Sequence, residues 1–291
     1  MDRKTKIGYL FLLPAGLLMV IMVLYPVINT FYLSLFEYRV QTMALGKVFV
    51  GLENYKKIIS DETFWNSFTW TVQFTFISVI LELIIGMALA LIMNRKIPGQ
   101  SIIRTIILIP WAIPTIVSGM MWAYLFGQYG MINEILLNIG IIHESIPWFT
   151  EEMWAKTAII IADVWKTTPY MSLLILGGLQ TVPKTLYEAA DIDGANIMQK
   201  FLKITLPSIK PALVIAVLFR VVAALRIYDL IAAMTSGGPA GTTESLSIYT
   251  VSTYFRFGNI GYGSALAVVM LIVSLLISLL FVDALKSKVD E

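Results

Sequence analysis

The sequence predicts an all-α integral membrane protein with six transmembrane helices and both termini in the cytoplasm. Three observations lead to this class. Of the 291 residues 58% are apolar, only 14% are charged, and the mean hydropathy is +0.79. A soluble domain carries about 25% charged residues because its surface must be hydrated. The chain has too little polar surface for a soluble globule, and we expect a single transmembrane domain over 1–291.

The composition also excludes several classes of function. The net charge is +2 and no basic run is present, which argues against a nucleic-acid partner. The absence of cysteine excludes disulfides, thiolate metal sites and cysteine nucleophiles, and the single histidine, His143, excludes histidine-rich metal clusters. We therefore expect neither a metal site nor catalytic residues.

Apolar stretches locate the spans, because crossing ~30 Å of hydrocarbon takes about 20 helical residues. Three stretches carry no charge at all, and three more contain acidic or basic residues but are long enough to cross. The approximate predicted spans are 9–36, 68–94, 105–128, 155–179, 211–235 and 261–283.

The distribution of lysine and arginine predicts the orientation. The two terminal segments and the loops near 95–104 and 180–210 hold 12 of the 21 basic residues, whereas the opposite loops hold 6. Cytoplasmic loops carry the excess of positive charge. Both termini and the 180–210 loop are therefore predicted to be cytoplasmic.

Two connections on the opposite side are too long to be simple turns. The first, 37–66, contains a mixed polar and apolar stretch at 50–59 that predicts a short interfacial helix. The second, 129–154, contains Trp148 and Trp154, which we interpret as anchors at the lipid headgroups. Stacking of these two rings against a passing ligand is the alternative.

The cytoplasmic segment 180–211 predicts a pair of short helices. Pro183 suits the first turn of a helix, where its missing N–H would be unpaired in any case. Thr185 and Glu188 have the spacing of a capping box and give an alternative start.

The second half of this segment predicts an elbow. Gly194 supplies a left-handed stop, and a second helix over about 196–205 is expected to end at Pro207 and Pro211. The resulting helix–glycine–helix loop would offer a shallow surface to a partner protein. An amphipathic helix lying on the bilayer fits the same residues equally well.

The letters of this loop, E-A-A-D-I-D-G-A, resemble the EAA loop of ATP-binding-cassette import permeases. In that family the short helix of the loop docks in a groove of a cytoplasmic ATPase and transmits its closure to the membrane. The resemblance implies ATPase-coupling roles for six residues of the loop 183–205, namely Glu188, Ala189, Ala190, Asp193, Gly194 and Ala195.

Two further segments resemble sugar permeases of the maltose, glycerol-3-phosphate and multiple-sugar group. They are G-L-E-N-Y at 51–55 and T-S-G-G-P at 235–239, the latter followed by Thr242 and Thr243. The second segment resembles the first of that group's two non-identical permease chains. The resemblance implies a multi-pass protein of a bacterial or archaeal cell membrane. The implied partners are a second permease chain in a heterodimer, two ATPase subunits, an extracytoplasmic solute-binding protein and a sugar substrate.

The chain has no sequence signature of an enzyme. It contains no G-x-x-x-x-G-K-[ST] loop, so the ATP and magnesium that the resemblance implies would bind to partner subunits, and no cofactor is expected here. A membrane enzyme that uses Asp163, Asp229 or Glu82 as an acid is one alternative. A self-contained secondary transporter or channel that relays ions through these charges is another.

Charged residues within spans are costly and mark either ion pairs or a substrate pathway. Asp163 with Lys166 and Arg226 with Asp229 each have the i,i+3 spacing of a helical pair. Mutual neutralisation is one interpretation of both pairs. The other is that these four groups, with Trp165, contact sugar hydroxyls in a cavity.

Two further expectations concern the middle of the bundle. Glu82 and Arg220 both fall near mid-depth and are predicted to pair across the second and fifth helices. Pro110 and Pro114 are expected to interrupt the third helix, and Pro169 the fourth. Such breaks suit a bundle that bends during alternating access, although a kink without functional consequence is equally compatible.

Overall fold

The structure is a computed structural model that describes residues 3–95 and 98–286, with side chains over 11–95 and 98–280. This part of the chain is mainly helical, as the all-α prediction requires. Lys96 and Lys288, which contribute to the predicted orientation, lie outside the described residues. The elements in chain order are α1 (Arg3–Met19), α2 (Tyr25–Ser34), β1 (Phe36–Glu37), β2 (Val48–Phe49), α3 (Glu53–Ile59), α4 (Glu62–Asn94), α5 (Gln100–Ala112), α6 (Thr115–Leu125), α7 (Met131–Asn138), α8 (Glu152–Gln180), α9 (Lys184–Ile192), α10 (Ile197–Lys200), α11 (Leu206–Leu225), α12 (Asp229–Met234), α13 (Leu246–Val251) and α14 (Ile260–Lys286).

Five helical segments of the described residues are long and apolar enough to cross a membrane. A sixth is possible if α5 and α6, which meet at an angle of 89°, count together as one span. The first segment is continuous because a π turn, Val20–Leu24, joins α1 to α2. The five segments are Phe11–Ser34, Glu62–Asn94, Glu152–Gln180, Ile197–Leu225 and Ile260–Leu280.

The prolines act on the third and fourth predicted spans in different ways. Pro110 lies in the last turn of α5 and Pro114 is the N-cap of α6, so the predicted interruption is present there. The predicted interruption at Pro169 is wrong, because α8 continues through this residue. In the preceding turn, the hydroxyls of Thr167 and Thr168 each donate a 2.6 Å hydrogen bond to a main-chain carbonyl. Neighbouring helices allow proline inside a membrane helix, and α5 and α11 both pack against α8.

The stretch predicted as the span 211–235 has different boundaries in the structure. A π turn, Phe201–Thr205, connects α10 to α11, so the helix runs on through Pro207 and Pro211 instead of ending there. The π turn ends just before Pro207, which cannot donate the hydrogen bond of a regular helix, whereas Pro211 lies inside α11. At the other end α11 stops at Leu225, and only the short α12 follows.

The chain forms two compact units, of which the first comprises residues up to 64 together with 249–273. Within it β1 and β2 pair antiparallel, and α3 confirms the short helix predicted at 50–59. The buried Asn54 donates hydrogen bonds of 2.8 and 3.0 Å to the carbonyls of Ser34 and Phe36. The amide of Asn54 therefore fixes the start of α3 against the end of α2.

The carboxylate of Asp61 accepts hydrogen bonds from several segments of this unit. The hydroxyls of Tyr249 and Tyr262 each donate a 2.5 Å hydrogen bond to Asp61, and the main-chain N–H of Thr63 donates another at 2.9 Å. Burial raises the pKa of Asp61, but these hydrogen bonds to the charged form outweigh it and leave the pKa below its usual value. Asp61 thus ties the start of α4 to α13 and α14.

The second unit comprises 65–248 and the residues from 274 onward, and α8 is its most buried helix. Small residues allow close approach of helices here. A Cβ on Gly178 would lie 2.6 Å from Cβ of Ala212 on α11, and one on Gly119 would lie 2.6 Å from Cβ of Ala233 on α12. Helices in membranes associate through such small-residue contacts, because no hydrophobic driving force acts between them. The fully buried apolar residues of α8 are Ala155, Ala158, Ile159, Ala162, Met171 and Ile175.

Candidate functional site

Three charged side chains from three helices form a buried cluster in the second unit. Arg220 of α11 donates through Nε to Glu82 of α4 and through Nη2 to Asp163 of α8. All three are buried, and Glu82 is completely so. The predicted pairing of Glu82 with Arg220 is confirmed, and Asp163 joins the pair as a third member.

Thr167 completes this cluster, although the sequence analysis did not single it out. Its hydroxyl contacts Glu82 Oε1 at 2.8 Å and the main-chain carbonyl of Asp163 at 2.6 Å. The signal was present in the chain, because Thr167 lies one helical turn after Asp163 and so shares its face of α8. The hydroxyl of Thr167 has a single proton, so its contacts with the carbonyl of Asp163 and with Glu82 share that proton.

The predicted i,i+3 pairs do not form. Asp163 turns to Arg220 instead of Lys166, and Lys166 makes no hydrogen bond or salt bridge among the described residues. Arg226 donates through Nε to the carbonyl of Val222 at 3.3 Å rather than pairing with Asp229. The helical register needed for that second pair is lost because α11 ends at Leu225.

Lys166 is 6% exposed and lines a small cavity of about 170 Å³. An ammonium group within a span costs at least ~2.5–3.5 kcal/mol on insertion scales, and Lys166 has no hydrogen bond or salt bridge in the described part of the chain. The cavity brings four of the five predicted pathway residues together. Its polar lining comprises Thr115, Asp163, Lys166, Thr167, Arg220, Arg226, Tyr228 and Asp229.

Trp165, the fifth predicted pathway residue, points elsewhere. Its ring packs edge-to-face against Trp122, with ring centroids 5.5 Å apart. It lines a separate apolar cavity of about 570 Å³ with residues of α4, α5 and α8. The side chain of Trp165 therefore lies outside the cavity that Lys166 lines.

Of the two predicted anchors, Trp148 has a different setting, and the half-buried Trp154 packs against it. Trp148 is 6% exposed, donates through Nε1 to Asn133 Oδ1 at 3.1 Å, and packs against Phe126 and Trp154. A ring that is buried in protein and has its N–H satisfied neither anchors in headgroups nor offers a face to a ligand. Trp148 is a core residue of the 129–154 segment.

The helix–glycine–helix elbow is present. α9 ends before Gly194, whose φ of +72° is the left-handed value that glycine adopts without cost. The N–H of Ala195 donates to the carbonyl of Ala190 at 2.9 Å across this turn. Asn196 and Gln199 then form a reciprocal capping box that starts α10.

Two details of the elbow differ from the sequence-based expectation. Pro183 is the N-cap of α9, so the capping box of Thr185 with Glu188 does not form. The two arms are joined by a 2.5 Å salt bridge from Lys200 to Asp191, and the hydroxyls of Tyr187 and Thr205 lie 2.9 Å apart.

The residues of the E-A-A-D-I-D-G-A sequence are mostly exposed. Glu188, Ala189, Asp193 and Gly194 are exposed, Ala195 is half-buried, and only Ala190 is buried, at 8%. Large apolar side chains beside them are also uncovered. Ile192 and Ile197 are 88% and 83% exposed, and Leu186, Met198 and Leu202 are exposed as well.

The geometry thus shows several helices that are long and apolar enough to cross a membrane, with a buried ion cluster among them and an exposed elbow between two of them. Residues 82–291 match the family described as "Binding-protein-dependent transport system inner membrane component". The chain belongs to this family of ATP-binding-cassette permeases.

Several relatives are similar over nearly the whole chain. The trehalose/maltose permease MalF of Thermococcus litoralis is 42% identical, over 96% of this chain and 93% of its own. The sulfoquinovosyl glycerol permease SmoG of Agrobacterium fabrum is 40% identical, over 99% and 92%. The trehalose permease SugA of Mycobacterium tuberculosis is 37% identical, over 92% and 84%.

Solved structures share the fold. A bacterial transporter involved in the import of the acidic polysaccharide alginate matches with a TM-score of 0.85 at 20% identity, over 98% of this chain and 97% of that one. The same kind of transporter, in complex with an alginate-bound periplasmic protein, matches with a TM-score of 0.82 at 21% identity, over 96% and 93%.

Proposed function

We propose that this chain is one of two permease subunits of an ATP-driven carbohydrate importer and forms half of the translocation path. The observation that carries the proposal is its 42% identity, over 96% of its length, to a trehalose/maltose permease. A second sugar permease is 37% identical over 92% of the chain. The carried molecule is on this basis a sugar or glycoside.

The proposed topology has six spans in a single permease domain, 1–291, with both termini in the cytoplasm. The bent pair α5 and α6 then counts as the third span. The excess of lysine and arginine at the termini and at 180–210 supports this orientation. The protein would reside in a bacterial or archaeal cell membrane, where a binding protein delivers the sugar from outside.

We propose that the elbow 183–205 couples the permease to an ATPase subunit. Ile192 and Ile197 expose most of their side chains. An uncovered apolar cluster of this kind outside a membrane marks a protein interface. Gly194 sets the angle between the arms, Glu188 and Asp193 offer charge, and the alanines at 189, 190 and 195 let the partner backbone approach.

We further propose that Lys166 lies on the substrate pathway, with Asp163, Arg226 and Asp229. Lys166 faces a cavity and keeps its donors uncommitted within the described part of the chain, so it is able to donate to sugar hydroxyls. Transporter sites commonly lie near the bilayer midplane, where Lys166 falls.

The proposed assembly contains a second permease chain, two ATPase subunits and an extracytoplasmic solute-binding protein. Without a P-loop this chain supplies no nucleotide site, so ATP and magnesium bind to the ATPase subunits. Hydrolysis there would move the elbow and switch the path between inward- and outward-facing states. The permease itself would hold no cofactor.

The test is uptake by the reconstituted complex. Proteoliposomes that contain both permease chains and the ATPase, with binding protein outside, are assayed with labelled trehalose, maltose and lactose. We expect uptake of at least one sugar only when ATP is present inside. Uptake that is independent of ATP and driven by an ion gradient would instead identify a secondary transporter. A lack of uptake for every sugar and glycoside tried would refute the carbohydrate proposal.

A further inference from the structure

A second polar cavity, of about 410 Å³, lies at the N-terminal ends of α4 and α8. Its third wall is the segment 240–242, which follows the T-S-G-G-P sequence. Small-molecule sites commonly occupy about 300–1,000 Å³, so the cavity is large enough for a ligand. It shares no lining residue with the cavity of Lys166.

One face of α4 contributes polar side chains to this cavity. Asn66, Thr69 and Gln73 recur at spacings of three and four residues, which places them on one face of the helix. All three are exposed, and within the described residues none of their side chains makes a hydrogen bond or ion pair. Their donors and acceptors are therefore uncommitted.

The depth of Gln73 makes this face unusual. It lies eleven residues into α4, or about 16 Å along the axis at a rise of 1.5 Å per residue. An amide that faces hydrocarbon at this depth without a partner would be costly. Its position in a wide polar cavity indicates that it faces water or a polar ligand instead.

The charges beside this face neutralise each other. Lys156 Nζ lies 2.6 Å from Glu152 Oε1 and 5.0 Å from the centroid of the Trp70 ring. Trp70 is 3% exposed and donates through Nε1 to the carbonyl of Thr243 at 3.1 Å. The Trp70 ring thus forms a cation–π contact with Lys156. Its hydrogen bond to Thr243 connects α4 to the residue that follows the third wall.

The third wall is held in one conformation. Thr235 and Thr243 hydroxyls lie 2.8 Å apart, and Thr243 also donates to the carbonyl of Gly238 at 2.5 Å. Ala240 has a φ of +47°, a left-handed value that costs energy for a residue other than glycine. Such strain persists only where the surroundings fix the backbone, as at ligand sites. Thr242, tied by its hydroxyl to the carbonyl of Pro239 at 2.8 Å, is held at the cavity.

We infer that this cavity is a binding subsite for a neutral saccharide at the outer mouth of the path, separate from the cavity of Lys166. It offers amides, hydroxyls and one internally neutralised ion pair, which suit the alternating donors and acceptors of sugar hydroxyls. An anionic ligand would need an unpaired cation, whereas Lys156 is paired with Glu152. The inference rests on the proposed function for its orientation and its ligand class.

The test uses the absence of cysteine from this chain. Thr69→Cys places a thiol between Asn66 and Gln73, and Thr63→Cys places one at an exposed position of the same helix outside the cavity. The whole permease–ATPase complex, in nanodiscs without binding protein, is labelled with maleimide in increasing trehalose or maltose. Labelling is read on this chain after electrophoresis.

We expect the sugar that the complex transports to slow labelling of the Thr69→Cys protein about tenfold at ten times its dissociation constant, because only the unoccupied fraction reacts. The rate for Thr63→Cys should stay constant. Adding Gln73→Leu to Thr69→Cys should abolish the protection without changing the rate in the absence of sugar. If that double variant does not assemble, Asn66→Ala replaces Gln73→Leu.

Two outcomes would overturn the inference while leaving the proposed function intact. One is a complex that transports the sugar but labels at residue 69 at the same rate with and without it. The other is a thiol at 69 that never reacts in a transporting complex, which would mean that a protein partner covers this face. Protection that disappears with Lys166→Met would assign the effect to the deeper cavity and would also count against a separate subsite.

Discussion

Arg220 and Glu82 form a buried ion pair although 138 residues separate them in the chain. Arg220 of α11 donates one hydrogen bond to Glu82 of α4 and a second to Asp163 of α8. The three helices therefore meet at this cluster. One guanidinium therefore neutralises parts of two carboxylates that would otherwise repel each other. Its planar fork suits this geometry, which an ammonium group would not reproduce.

Replacing Arg220 should destabilise the protein. Arg220→Met leaves Glu82 and Asp163 buried without their cation, and removing one partner of a buried pair costs about 3–5 kcal/mol. We expect a low yield of monodisperse protein and a lowered melting temperature in detergent. Arg226→Met is the matched control, because Arg226 is exposed and bonds only to a carbonyl among the described residues. Its effect on stability should stay within about 0.5 kcal/mol. Equal melting temperatures for the two variants would contradict the structural role of Arg220.

Replacing Lys166 should reduce sugar uptake without destabilising the protein. Because it has no bonded partner among the described residues, Lys166→Met strands no carboxylate, and we expect normal expression and basal ATPase activity with reduced sugar uptake. The measurement is uptake per assembled complex, with Lys57→Met as the lysine control, because Lys57 is an exposed residue of α3 that lines neither cavity. Full uptake by the Lys166→Met protein at normal expression would remove Lys166 from the substrate pathway.

Gly194 should be replaceable only by a residue that tolerates a positive φ. Gly194→Val puts a β-branched side chain at φ +72°, and we expect loss of uptake and weaker co-purification of the ATPase. Gly194→Asn should retain much of both, since asparagine adopts this conformation more readily. A Cβ at Gly194 would meet no other part of the described chain within 4 Å, so a steric clash is not the cause. Wild-type behaviour of the valine variant would exclude the elbow from coupling.

The orientation is testable with two equally accessible thiols. Ile192 in the elbow and Tyr129 in the 129–154 segment are 88% and 89% exposed. In intact cells, a membrane-impermeant maleimide should label Tyr129→Cys and spare Ile192→Cys, and both should react after permeabilisation. The reverse pattern would invert the topology and refute docking of the elbow to a cytoplasmic ATPase.

Asp61 predicts a dependence of stability on acid pH. Its pKa is lowered in the folded state, so the hydrogen bonds from Tyr249 and Tyr262 stabilise the protein above the ordinary pKa of the carboxyl. This contribution is lost as the pH falls through the folded-state pKa. Asp61→Asn should therefore lower the melting temperature at pH 7 and flatten its decline between about pH 5 and pH 3, and an unchanged pH profile would contradict this role.

The sequence predicted a structural feature correctly where that feature depends on one residue, or on the depth of two charged residues within their spans. The left-handed turn follows from glycine at position 194, and the Glu82–Arg220 pair follows from two opposite charges at similar depth. The partner of Asp163 could not be deduced in this way. Two cations compete for it, and the packing of α11 on α8 brings the more distant one in sequence closer.

Other features lacked a readable signal or were overlooked. No glycine or proline stands at 226–228 to announce the end of α11, so the sequence predicted Arg226 and Asp229 on one helix. The continuation of the helix through Pro207 depends on the π turn before it, which the letters do not encode visibly. The polar face of Asn66, Thr69 and Gln73 did have a recognisable spacing, but it was hidden within a strongly apolar span.

The π turn Phe201–Thr205 has a mechanical consequence. Because it joins α10 to α11 without a break, a single rod runs from Ile197 in the elbow to Leu225, with Arg220 near its far end. At 1.5 Å per residue this rod is about 43 Å long. A tilt imposed at the elbow would swing Arg220 and pull on the helices that carry Glu82 and Asp163, so the buried cluster would act as the joint through which one lever moves two others.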